Sequence, residues 1–147
     1  MKLNIIAFLF FGLVAFGQSL NELRSNYTKA VNDKSVCEQM IKQLENNHKT
    51  PLYQAYLGAY QTIWANHVIN PISKLNTFKK GKNNLENAIQ LDQNVVEIRF
   101  LRYSIQKNAP QFLGYSKQLK EDETFLRNHL KNVQSPELSN AIKSILK

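Results

Sequence analysis

The side chains with the clearest chemical potential lie in one stretch, Glu97-Ile98-Arg99-Phe100-Leu101-Arg102-Tyr103-Ser104-Ile105-Gln106. On a helix, Ile98, Leu101 and Ile105 share one apolar face, and Val96, Phe100 and Tyr103 share another. Arg99, Arg102 and Gln106 form a polar stripe between the two, at spacings of three and four. Guanidinium groups flanked by two packed faces lose water and must find carboxylates or carbonyls. Two arrangements meet that need. One is an internal clasp with Asp122 or Glu86 as the partner. The other is a site for an external anion or a peptide carboxylate. Lys82 is the fourth candidate of this kind. It falls inside the apolar stripe of Leu75, Phe78, Leu85 and Ile89, where its stem can run past apolar neighbours with the ammonium in water. Arg99, Arg102, Gln106 and Lys82 are therefore the candidate binding residues.

Other constellations lack the spacing that chemistry needs. His48, His67 and His129 never pair at three or four residues on one helix, and no zinc-ligand spacing is present. No metal site or cofactor is expected. His67 sits near the end of its helix, where an imidazole bonds backbone carbonyls or a neighbouring polar group. There is no Gly-x-Ser-x-Gly motif, and the 5 Gly are too scattered for a phosphate-cradling loop. The acidic cluster Glu121-Asp122-Glu123 cannot converge as a catalytic pair, because adjacent helical side chains point apart. Asp122 alone shares the stripe of Leu119, Phe125, Leu126 and Leu130, and is expected to face inward. Catalysis would require a site assembled from dispersed groups, with His67, Tyr60, Lys82 and Arg99 as the candidates. The chain is read as a non-enzyme. Cys37 stands alone between Val36 and Met40, which precludes an intrachain disulfide and predicts burial as a small hydrophobe.

The elements that position these residues are all helical. Ser19-Leu20-Asn21-Glu22 and Ser35-Val36-Cys37-Glu38 read as capping boxes. Thr50-Pro51, Asn70-Pro71 and Ser135-Pro136 each set a capping side chain before a proline at the first helical position. Between these signals the apolar spacing is helical, and no alternating strand or hairpin turn is present. The pattern predicts seven helices at about 19–32, 36–47, 51–68, 71–91, 95–107, 117–132 and 136–146. In the third, residues from Leu52 to Val68 cover well over half the circumference with apolar groups. Only Gln54, Gly58, Gln61, Thr62 and Ala65 form its other side. This helix must be covered from two directions and is predicted at the centre of the domain, between antiparallel neighbours.

The segment from Gly81 to Asn94 resembles the second helix of a tetratricopeptide repeat, with Gly81 as its small residue, Leu85 as its large apolar one and Ala88 as its alanine. Gln93 replaces the usual turn proline. Leu57-Gly58 resembles the Leu-Gly pair of the preceding helix, but Gln61 stands where that helix has an aromatic. The likeness covers about one repeat and implies helical hairpins. A longer run, from Asn70-Pro71 through Lys74-Leu75, Phe78, Gly81, Leu85-Glu86, Ala88-Ile89, Asp92, Asn94, Glu97 to Arg102, Gln106, Pro110, Phe112-Leu113 and Tyr115 to Asp122, is similar to a group of small exported bacterial helical proteins of unassigned activity. That resemblance implies an exported helical fold and supplies no catalytic residue.

Composition agrees with one globular unit. The chain has 147 residues, is 43% hydrophobic and 20% charged, and carries a net charge of +8. It opens with Lys2 and an unbroken apolar run from Ile5 to Phe16, too short to span a bilayer and the right length for a secretory leader. Ala15-Phe16-Gly17 presents small residues for cleavage before Gln18. The expected organisation is a signal peptide at 1–17 and one all-α domain at 18–147, a compact bundle of antiparallel hairpins with tetratricopeptide-like geometry in its middle. The expected destination is the periplasm or the exterior, with no transmembrane segment after cleavage. Export disfavours a nucleic-acid partner. The expected role is a non-enzymatic module that binds another envelope or secreted protein, or a structural one. Association of the basic surface with anionic lipid or polysaccharide is the alternative.

Overall fold

The computed structural model describes residues 20–47 and 50–147. The expected leader at 1–17, the expected cap at Ser19, and His48 lie outside the described residues. Those described form seven α-helices and no strand: α1 (20–27), α2 (Lys34–Glu45), α3 (Pro51–Trp64), α4 (Pro71–Leu91), α5 (Val96–Asn108), α6 (Leu119–His129) and α7 (Pro136–Ile145). No helix among them is long and apolar enough to cross a membrane.

The proline-marked starts are as expected. Thr50 accepts from the Tyr53 amide, Asn70 from Ile72 and Ser73, and Ser135 from Leu138. The start of α2 differs. Asp33, not Ser35, is the cap, and its carboxylate accepts from the amides of Ser35 and Val36 at 2.9 and 3.1 Å. Asp33 also takes the Ser35 hydroxyl at 2.7 Å, so the serine is already held by the residue that replaces it as the cap. Glu38 pairs forward with Lys42 instead. The first, third and sixth predicted helices end early as α-helices and finish in single 3₁₀ turns, at Lys29–Val31, Ala65–His67 and Leu130–Asn132. Tightening of this kind satisfies carbonyls that an α-helix end leaves open.

Helix α3 is central and packs against α2, α4 and α5. Its more polar side is buried as well, because α4 closes on it backbone to backbone. A Cβ at Gly58 would stand 2.6 Å from the Gly81 carbonyl oxygen, and one at Gly81 would stand 2.6 Å from that of Gly58. Gln61 is satisfied there by the Asn84 amide at 2.7 Å, and the Thr62 hydroxyl by the Ala59 carbonyl at 2.7 Å. On the opposite side α3 carries Tyr56 and Tyr60 into an aromatic cluster. The Tyr27 ring meets those of Tyr56, Tyr60 and Phe100 edge-on, with centroids 5.9–6.3 Å apart. Helix α5 joins this core to α4, α6 and α7.

Candidate functional site

Helix α5 brings Arg99 and Arg102 onto one buried carboxylate. Asp122, on the first turn of α6, is fully buried, as its place in the apolar stripe requires. Arg102 grips it with Nε to Oδ2 at 2.7 Å and Nη2 to Oδ1 at 2.8 Å, and sends Nη1 to Glu86 of α4 at 3.2 Å. Arg99 donates from Nη1 to both Asp122 and Glu121 at 2.7 Å, and from Nε to the Gln93 carbonyl at 2.9 Å. Its guanidinium lies over the Phe125 ring. Glu121 is exposed, and Arg99 holds its carboxyl below the usual range. The internal clasp is thus formed. All three nitrogens of Arg102 and both Nε and Nη1 of Arg99 are occupied, so an anion gripping Arg102 would have to displace Asp122 or Glu86.

Gln106 and Lys82 border the same network. Gln106 donates to Gln118 at 2.9 Å, and its own carbonyl oxygen is buried with no protein partner. The Lys82 ammonium lies 4.9 Å over the Tyr115 ring, and the Tyr115 hydroxyl donates to Glu86. Burial raises the Tyr115 phenol, and the hydrogen bond to Glu86 raises it further. All four candidate binding residues therefore surround one charge-balanced seam joining α4, α5 and α6.

A second clasp was not foreseen. Glu97, buried at the start of α5, takes Arg24 of α1 through two bonds of 2.8 and 2.7 Å and the Tyr56 hydroxyl at 2.5 Å. An acid inside the run Val95-Val96-Glu97-Ile98 is the sequence signal that could have marked Glu97 as buried and in need of a partner.

The dispersed quartet is not brought together. Tyr60 donates to the Leu23 carbonyl at 2.7 Å, and His67 Nε2 donates to the Ala30 carbonyl at 2.8 Å, the role its place at a helix end suggested. Lys82 and Arg99 lie in the seam described above. Cys37 is buried, with its thiol toward the Tyr60 carbonyl at 3.4 Å. Among the described residues no cluster of His, Cys, Asp or Glu is placed to hold a metal.

A sizeable concavity lies elsewhere. A groove of about 720 Å³ runs between α1, α3, α4, α5 and α7, with the turn at Gln111–Leu113 beside it. Buried Tyr27, Ile63, Phe78, Phe100 and Ile105 form its walls. Val31, Leu75 and Phe112 stand at its rim, 46%, 37% and 86% exposed. Phe78 also packs edge-on against Tyr115, so one side chain separates the groove from the arginine seam. No family model matches this chain, nor does any curated protein or solved structure.

Proposed function

We propose that this chain is an exported, non-enzymatic helical protein, with residues 1–17 as its leader and tetratricopeptide-like hairpins at its centre, and that it serves as a binding module of the cell envelope. The binding surface is the groove, and the groove carries the reading. Its volume is that of a site for a drug-sized ligand or a partner's apolar anchor. Its rim leaves large apolar side chains in water that a folded chain has every reason to cover. The arginines serve as internal struts, since five of the six guanidinium nitrogens of Arg99 and Arg102 end on the protein's own acceptors.

The test is titration with Nile red, an uncharged dye that brightens in apolar surroundings. One dye per chain should bind with a blue-shifted emission. The rim variant Leu75→Asp/Phe112→Asp should lose it while melting as the parent does, because both side chains are already partly or largely exposed. No saturable binding, or binding indifferent to the rim variant, would overturn the reading.

A second reading, adhesion to anionic lipid or polysaccharide, is favoured by one observation. Glu86, Glu97, Glu121 and Asp122 are engaged by arginines, while most lysines stay in water on a chain of net charge +8. Co-sedimentation with anionic vesicles that vanishes at high salt would support it.

A further inference from the structure

The groove has a charge pattern that its apolar character hides. None of the residues that line it is Asp or Glu, and Lys74 is the one charged side chain among them. Lys74 is exposed and has no carboxylate partner among the described residues. It lies in the first turn of α4, where the helix field has the same sign as its own charge.

Two polar groups deep in the groove are already spent: Tyr27 donates its hydroxyl to Ser104 at 3.2 Å and Thr62 to the Ala59 carbonyl at 2.7 Å. Thr28, Asn32, Asn66, Asn108 and Ser144 stand at its exposed edge, where water reaches them. The buried walls therefore offer an occupant mainly contact and exclusion of water. A hydrocarbon tail asks for nothing else. The mouth offers one unpaired ammonium, which matches one anionic head. A cationic head would face like charge, and a neutral head could accept a hydrogen bond from Lys74 but without the pairing of opposite charges.

Resting on the reading of the groove as the binding surface, we propose that it holds a single-chain amphiphilic carboxylate of the fatty-acid class, tail against Phe78, Phe100 and Ile105, head at Lys74. The groove's volume, about 720 Å³, falls in the range of sites that take one small molecule.

The experiment displaces bound Nile red, below the critical micelle concentration, with dodecanoate, dodecanol, dodecyltrimethylammonium and dodecanoyl lysophosphatidylcholine. Dodecanoate should displace the dye at roughly three- to tenfold lower concentration than dodecanol, the range expected of one exposed charge-assisted contact. Lys74→Gln should erase that difference. Lys79→Gln, an exposed lysine of the same helix outside the groove, should keep it. Equal displacement by all four amphiphiles, a preference for the cation or the lysophospholipid, or a preference that survives Lys74→Gln would overturn the proposal and leave the groove a binding surface. Failure of the dye itself to bind removes the underlying reading instead. Chains beginning at Met1 and at Gln18 are titrated side by side. Dye bound only by the second would identify the apolar run at 5–16 as the occupant, and would also overturn the proposal.

Discussion

Arg102 and Asp122 face each other fork to fork, with two bonds of 2.7 and 2.8 Å between side chains 20 residues apart, inside the protein. Burial works against the guanidinium charge. The hydrogen bond and charge of Asp122, with Glu86 behind them, outweigh it and hold the Arg102 pKa above its ordinary value. Arg102→Ala leaves Asp122 buried with only Arg99 to answer it. The expected loss is about 3–5 kcal/mol, the range for breaking a buried ion pair from one side. Urea denaturation of the two proteins measures it. Arg102→Lys should recover only part, because an ammonium cannot make the two-point grip. A midpoint unchanged in the alanine variant would mean that the clasp adds nothing to stability.

The contact of Gly58 with Gly81 makes a separate prediction. A methyl group at Gly81 would meet the Gly58 carbonyl and the Thr62 amide, both backbone and both at 2.6 Å. No rotamer change relieves that, so α3 and α4 must separate. Gly81→Ala should therefore destabilise by about 1–3 kcal/mol or more, although alanine is the better helix former. Gly114→Ala supplies the contrast. Nothing lies within 4 Å of a Cβ there, and the cost comes only from its left-handed backbone, φ 62°, at about 1 kcal/mol. Thermal melts of the two variants should separate packing from backbone strain. If Gly81→Ala melts above the parent, the close approach is absent.

What the sequence discloses follows from how local each signal is. Thr50, Asn70 and Ser135 cap the amides next to them, so the starts of α3, α4 and α7 are readable from four residues each. The inward Asp122 is readable because helical period alone places it among Leu119, Leu126 and Leu130. Glu121 is not, because its carboxylate reaches Arg99 from an exposed position that periodicity assigns to solvent. The partnering of Glu97 with Arg24 spans 73 residues, and no local pattern encodes it. The groove is the least legible feature. Val31, Leu75, Phe112 and Ile145 each look like ordinary apolar positions, and only the tertiary arrangement leaves a space between them. Ser35 misled because Asp33 starts the helix two residues earlier, its carboxylate taking the amides of Ser35 and Val36 and the Ser35 hydroxyl as well.

Cys37 is fully buried beside Tyr60, and burial pushes its thiol up to about 12. The thiolate is the reactive form, so the folded protein should resist alkylation. Maleimide at pH 7 should label the native chain at a small fraction of the rate seen in denaturant, and the labelling should follow the unfolding transition. Oxidised samples should remain free of disulfide-linked dimers. Rapid labelling of the native protein would show that α2 opens readily from α3.

The tyrosines set the alkaline limit of the fold. Burial pushes Tyr27 up to about 12, against the pull of its bond to Ser104. Burial also raises Tyr56, Tyr60 and Tyr115, assisted by Glu97 at Tyr56 and by Glu86 at Tyr115. In the unfolded chain these phenols ionise near 10. Above that pH the folded state binds more protons than the unfolded one, so stability falls as pH rises. The contribution is complete below about pH 10 and is lost through the range up to the folded values. Phenolate absorbance and helical circular dichroism, followed together, check this. The four phenols should stay protonated until the helix signal collapses, and then ionise in one step with it. Smooth ionisation of all 6 tyrosines near pH 10, with the helices intact, would show that water reaches the cluster around Tyr27 and that the aromatic contacts joining α1, α3 and α5 do not exclude it.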